Sequence, residues 1–308
     1  LPESEIVQAT SNTFTVTWSG AVTEALYAGA MLGNVDQDHP IRDFATNASD
    51  TSSPNPITTS SINIGAGEIT LGAVHSGNSG SYTWNNGFTE GSDQNGSTST
   101  LSGAGYFSSS NSTIVASATH SGPNRQVIVA ATLKRAPRIY YVRTDGSNAN
   151  SGTGTAASSA WQTIDYAADN TNVRQGDRIY VRTGTYNETI NPARDGSSYN
   201  DIEVIADVDG TIFGGAGGAV IVQAPANQHA LHLNDADYFE FRGFTFSGDS
   251  GNDTLALANS SGALIQQCEI YGGVHGVEIG SASSAQLVNC LIHNNSGEGV
   301  YLISGSAA

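Results

Sequence analysis

Four short strings in the C-terminal part of the chain repeat one pattern. His229-Ala-Leu-His-Leu233, Asp253-Thr-Leu-Ala-Leu257, His275-Gly-Val-Glu-Ile279 and Glu298-Gly-Val-Tyr-Leu302 each place two apolar residues on one side of an extended segment. Their first apolar residues, Leu231, Leu255, Val277 and Val300, follow one another at intervals of 24, 22 and 23 residues. A further apolar stretch lies inside each repeat, from Phe239 to Phe246, Leu264 to Ile270 and Leu287 to Ile292, and reads as a second strand. A single such unit cannot bury its apolar face. Stacked as successive coils, the units share one continuous core. The pattern predicts a parallel β-helix.

That register assigns side chains. Leu231, Leu233, Leu255, Leu257, Val277, Ile279, Val300 and Leu302 point inward, and so do Phe244, Phe246, Cys268, Ile270, Cys290 and Ile292. Cys268 and Cys290 are 22 residues apart and fall at the same place in successive coils. Strands about 4.8 Å apart stack them as a buried thiol ladder rather than a disulfide, because in-register neighbours seldom present suitable Cβ vectors. Asn289 and the run His293-Asn294-Asn295 mark turns, where Asn tolerates left-handed backbone.

The chain of 308 residues has room for two domains, and its grammar changes near Lys134-Arg135-Ala136-Pro137. Residues 1–136 carry runs of period two, at Thr13 to Trp18, Ile57 to Ile64, Glu68 to His75, Thr113 to Thr119 and Gln126 to Leu133. Alternation with one apolar face implies sheet packed on sheet. The fold class expected is all-β: a β-sandwich of jelly-roll or immunoglobulin-like type over 1–136, then a right-handed parallel β-helix over 137–308. Thr15 to Val22, Asp36 to Ile41 and Val127 to Leu133 resemble a β-sandwich module of large secreted and virion proteins, which implies binding or display.

The second part carries a fuller resemblance. Tyr140 to Gly154, Ala160-Trp-Gln-Thr-Ile-Asp-Tyr-Ala167 and Gly176 to Ile190 are similar to the opening segment of secreted right-handed β-helix proteins of the pectate-lyase-like superfamily. Trp161, Ile164 and Ala168 have helical spacing, so this segment can cover the open end of the solenoid, where strand edges would otherwise be bare. The resemblance implies several functions. Members cleave acidic polysaccharides by β-elimination with a Lys or Arg base and a cation, commonly Ca²⁺. Others hydrolyse glycans with Asp pairs, and others are adhesins, phage spikes or surface proteins. Fold alone does not choose among these.

Charge narrows the partners. With 11 basic against 28 acidic residues and a net charge of −17, neither nucleic acid nor an anionic membrane is expected as a partner. No apolar run approaches the ~20 residues that span a bilayer. Charged residues are only 13% of the chain and Gly supplies 36 positions, an all-β and extracellular profile that fits a cell or virion surface. Seven Asn-x-Ser/Thr sequons occur, a number that a chain so rich in Asn, Ser and Thr makes by chance.

Lys134 is the only lysine and lies in the linker, so a base in the β-helix would have to be an arginine, with Arg242 the candidate against its reading as a solvated strand residue. Asp235, Asp237, Asp249 and Asp253 are candidate Ca²⁺ ligands, although Asp in such turns commonly bonds its own backbone. His229 and His275 head their repeats but stand two coils apart, too far to share a metal unless something intervenes, so both read as turn or surface residues. Tyr186, Tyr199, Tyr238, Tyr271 and Tyr301 read as exposed, and Tyr238, Tyr271 and Tyr301 are candidate glycan contacts, with Tyr271 and Tyr301 on different sides of the coil.

Two functions follow. The first, favoured because no base-plus-carboxylate constellation is visible, is an extracellular structural or adhesive protein with possible glycan contact. It would self-assemble head to tail into an oligomer or filament through edges at Ile6, Val7, Val300 and Leu302. A chain cut from a longer protein is the competing explanation for such edges. The alternative function is a polysaccharide lyase or glycoside hydrolase acting on an acidic polysaccharide, with its catalytic coils missing or unrecognised.

Overall fold

The computed structural model describes residues 32, 34–36, 40–198 and 200–303. The stretch from Thr13 to Trp18, Ile6, Val7 and Tyr199 lie outside the described residues. The chain divides into two compact units, Leu1–Ala136 and Pro137–Ala308.

The first unit is antiparallel. Strands β1 (Ile41–Ser49), β10 (Gln126–Leu133), β4 (Ile69–Ser76), β7 (Thr100–Phe107) and β6 (Thr89–Asn95) form one sheet in that order. Strands β2 (Ile57–Thr58), β9 (Ser117–His120) and β5 (Tyr82–Trp84) form a second, and β3 (Ile62–Ile64) pairs with β8 (Ser112–Ile114). Apolar residues of these sheets, among them Ile57, Ile62, Val74, Tyr82, Trp84 and Ile128, meet in one buried core, so the unit is a sandwich. Trp84 on β5 packs against Gly72 on β4, where an added Cβ would come within 2.7 Å of the indole. Two expected strands, Ile57 to Ile64 and Thr113 to Thr119, each break into two. They break at the same level, where Thr59 N donates to Ala116 O at 2.9 Å and Ala116 N donates to Thr59 Oγ1 at 3.1 Å.

The second unit is a parallel β-helix with three sheets. The first holds β11 (Ile139–Val142), β12 (Arg178–Arg182), β14 (Ile202–Asp207), β17 (Phe239–Arg242), β20 (Ala263–Gln266) and β23 (Ala285–Val288). The second holds β13 (Gly184–Asn187), β15 (Val220–Gln223), β18 (Thr245–Ser247), β21 (Glu269–Tyr271) and β24 (Leu291–His293). The third holds β16 (Leu231–Asn234), β19 (Leu255–Ala258), β22 (Val277–Ile279) and β25 (Val300–Leu302).

The expected second strand of each repeat is therefore two strands on two sheets. The chain turns between them at Gly243, Gln267 and Asn289, which stack one per coil with φ of 80°, 55° and 53°. A single left-handed residue redirects the strand there without leaving the ladder. Asn294, at φ 52°, turns the chain as its type implies.

The interior follows the expected register. Leu231, Leu255 and Val277 pair in one ladder and Leu233, Leu257 and Ile279 in the next, all buried. Phe239, Phe241, Phe244 and Phe246 pack ring against ring in the centre. The interior reading fails at the last described coil. Val300 is 38% and Leu302 50% exposed, and Cys290 and Ile292 are half-buried, because their strands have a described neighbour on one side only. Both cysteines are free thiols.

The opening segment closes the first coil as expected. Helix α1 (Ile164–Asp169) is capped by Thr163, and the Glu188 carboxylate accepts from Ile164 N at 3.0 Å and Asp165 N at 2.9 Å. Ile164, Ala167 and Ala168 are buried in the β-helix core, beside Trp161, which stacks on Tyr140 at 5.0 Å. Tyr186 is likewise buried, not exposed as its type had implied. Its hydroxyl donates to Arg182 O at 2.9 Å, satisfying the phenol inside the core.

Leu257→Asp is expected to destabilise the β-helix by about 3 kcal/mol or more, by burying an unpaired charge. Leu302→Asp should cost less than about 1 kcal/mol. Denaturant unfolding of the two variants checks this, and equal costs would contradict the register.

Candidate functional site

The ladder that pairs Leu231, Leu255, Val277 and Val300 has a second effect. Two residues before each stands His229, Asp253, His275 or Glu298, so these four occupy one column, imidazole alternating with carboxylate. Within the third sheet the outward positions form a neighbouring column, His232, Ala256, Glu278 and Tyr301.

The two columns interlock around Asp253. His275 Nδ1 lies 2.7 Å from Asp253 Oδ1, and the main-chain N of His275 donates to the same oxygen at 2.9 Å. On its other side, His275 Nε2 lies 3.0 Å from Glu298 Oε2. Tyr301 stacks on the His275 ring at 4.5 Å and 15°, so both ring edges and a face of this imidazole are held. His229 Nδ1 donates to the carbonyl oxygen of Asp253 at 2.8 Å, which selects its Nδ1–H tautomer. Its ring sits 5.1 Å from that of His232. Burial, then the proximity of His229, pushes the His232 imidazole down from its usual range. Burial is also the leading cause that raises Glu278, followed by the charge of Asp253 and a hydrogen bond shared with it. Two carboxylates placed this close disfavour the charged form of Glu278. Asp253, His275 and Glu278 each offer one ligand atom, and these atoms lie within 4.8 Å of one another.

The other expected site residues lie elsewhere. Asp249 Oδ2 accepts from Asn227 N at 2.9 Å and Gly251 N at 3.1 Å, and Asp237 Oδ1 accepts from Ser261 N at 2.7 Å. Asp235 is an exposed corner residue with φ 53°. Of the four candidate aspartates, the structure brings only Asp253 to a cluster of potential ligands among the described residues. Tyr238 turns a corner with φ 54° and lies over Gly262 of the next coil. Tyr271 is on the second sheet, stacked on His293 at 5.4 Å, and Tyr301 is on the third. The three tyrosines thus form no single track.

Arg242 belongs to a charge ladder on the first sheet. Its Nε is 3.4 Å from Glu240 Oε1 and its NH2 is 3.6 Å from Glu203 Oε2, an oxygen that also meets Arg178 Nε at 3.0 Å. Burial, then the charges of Glu240 and Glu203, pushes the neighbouring Asp201 carboxyl up to about 6. The guanidinium is thereby engaged with structural carboxylates.

The comparison with known protein families accords with this fold. Residues 228–308 match the family described as "Right handed beta helix region", so the stacked coils are those of a right-handed parallel β-helix. No curated protein matches the sequence. Among solved structures, the chain is similar to an alginate lyase from Paenibacillus sp. str. FPU-7, with 20% identity and a TM-score of 0.39 over 46% of this chain and 47% of that one. It is similar to the catalytic domain of a GH87 alpha-1,3-glucanase in complex with tetrasaccharides, with 13% identity and a TM-score of 0.36 over 87% and 54%. It is also similar to the tailspike protein gp49 from Pseudomonas phage LKA1, with 9% identity and a TM-score of 0.29 over 87% and 37%. The chain spans about half or less of the length of these structures. Among the described residues no helix is long and apolar enough to cross a membrane.

The Asp201 shift has a pH signature. A carboxyl of ~3.9 in the unfolded chain and about 6 in the folded one makes the native state bind more protons between those values, so stability falls as pH rises through that window. Asp201→Asn removes the effect. Because the side chain is partly solvated, the variant should exceed the parent by only about 1 kcal/mol at neutral pH, and by nothing near pH 4. Unfolding curves at the two pH values check it.

Proposed function

We infer that this protein is an extracellular or virion-surface β-helix protein that contacts polysaccharide along its third sheet. The observation that carries the reading is the pair of outward columns. His232, Glu278 and Tyr301 lie beside His229, Asp253, His275 and Glu298 on one face, at the fixed spacing of stacked strands. Carboxylates and imidazoles supply the directional donors and acceptors that sugar hydroxyls require, and an exposed phenol supplies a ring face. The net charge of −17 opposes a polyanion, so a neutral polysaccharide fits best. A structural or adhesive role is served by such contact without chemistry.

One observation favours a second reading, that of an enzyme. Asp253 and Glu278 set two carboxylates close together beside His275, an arrangement suited to general acid–base work. The pair is closer than the ~5–5.5 Å of retaining or the ~6.5–9.5 Å of inverting glycosidases, so proton abstraction suits it better than glycoside hydrolysis.

Calorimetric titration of the full chain with neutral and uronate polysaccharides tests both. Tyr301→Ala and His232→Ala are each expected to weaken binding about tenfold, equivalent to ~1.4 kcal/mol, while Arg242→Ala should leave it within a few-fold. Absence of binding to any glycan, or binding indifferent to both changes on the third sheet, would refute the contact surface. Accumulation of ultraviolet-absorbing unsaturated product from a polyuronate, abolished by Glu278→Gln, would establish the enzymatic reading instead.

A further inference from the structure

We propose that Asp253, His275 and Glu278 form a binding site for a divalent transition-metal ion, with Glu298 as the outer group that orients its histidine. The proposal stands on side-chain geometry and does not depend on the glycan reading.

Three features carry it. The ligand atoms of two carboxylates and one imidazole lie within 4.8 Å of one another, close enough to converge on one cation. They come from neighbouring coils, Asp253 ahead of β19 and His275 and Glu278 ahead of and within β22, so the backbone ladder fixes their separation before any ion arrives. His275 also has the outer support that metal-bound histidines show. With Nδ1 turned toward Asp253, its Nε2 lies 3.0 Å from Glu298 Oε2, the carboxylate–imidazole–metal arrangement that sets tautomer and ring angle. Tyr301, stacked at 4.5 Å, restrains the same ring.

The donor set selects the ion. One imidazole nitrogen and two carboxylates suit Zn²⁺, Mn²⁺, Co²⁺ or Ni²⁺, whereas Ca²⁺ takes six to eight oxygens and gains little from nitrogen. Three protein ligands leave the remaining positions to solvent or to a ligand. Asp253, a candidate Ca²⁺ ligand by sequence, would in this proposal serve a mixed nitrogen and oxygen site instead.

Titration of the chelator-treated full chain with Zn²⁺ tests the proposal, with Ca²⁺ in a parallel titration. One equivalent of Zn²⁺ should bind saturably and more tightly than Ca²⁺. His275→Ala and Glu278→Gln should each weaken it by more than about tenfold, and Glu298→Ala by about tenfold, the size of an outer-group effect. Co²⁺ bound in the same place should show ligand-field absorption bands that change in His275→Ala. Because His275 also bonds Asp253 in the absence of metal, Glu278→Gln is the decisive variant: without metal its circular dichroism should match the parent's and its unfolding midpoint at neutral pH should be no lower. Loss of Zn²⁺ binding in a folded Glu278→Gln protein supports the site. Zn²⁺ binding that survives both His275→Ala and Glu278→Gln, tighter binding of Ca²⁺, or no saturable Zn²⁺ binding by the parent would each overturn it.

Discussion

The parallel backbone ladder between coils is the interaction on which the rest of the second unit depends. Each coil hydrogen-bonds to the next with residue set over residue, at ~4.8 Å, so a side chain's neighbours are those at the same place one coil away. Lateral position is conserved from coil to coil even though the repeats differ by one or two residues in length. The interior apolar ladders and the outward columns are two faces of that single constraint. A register slip of one residue would turn every interior leucine outward.

The same constraint makes electrostatics one-dimensional. A charge in a column is stabilised only if an adjacent coil supplies its complement. On the first sheet Glu203 and Glu240 are stacked alike, and Arg178 and Arg242 answer them, while Asp201 beside them is left with a raised carboxyl. In the column of the third sheet the complement is built in, because histidine and carboxylate alternate. Glu278 breaks that balance by placing a second carboxylate against Asp253, and burial together with that charge raises its carboxyl. A chain with net charge −17 and few basic residues has reason to use imidazole this way.

Much of this was legible in the sequence. The interval between Leu231, Leu255 and Val277 gave the coil, and Trp161, Ile164 and Ala168 gave its covering segment, because burial of an apolar face leaves a periodic trace. The corners left a weaker one. Gly243 and Asn289 are residues that turn readily, but Gln267 at the same corner is not, and Leu264 to Ile270 therefore reads as one strand. Tyr186 escaped because its burial depends on a carbonyl partner, Arg182 O, that no local pattern announces. The cluster around Asp253 was hidden by comparing like with like. His229 and His275 are indeed two coils apart, yet the four repeat strings begin His, Asp, His and Glu, and Asp253 is the residue that intervenes. Columns of unlike residues at equal repeat positions are the signal that finds such a site.

The register is best tested by a crystal structure of the full chain. Asp253, His275 and Glu298 should lie in a single column, with Asp253 at hydrogen-bond distance from His275 Nδ1, Glu298 at that distance from Nε2, and Glu278 alongside. Asp253 and His275 found in different columns, with Leu255 no longer stacked on Val277, would contradict it.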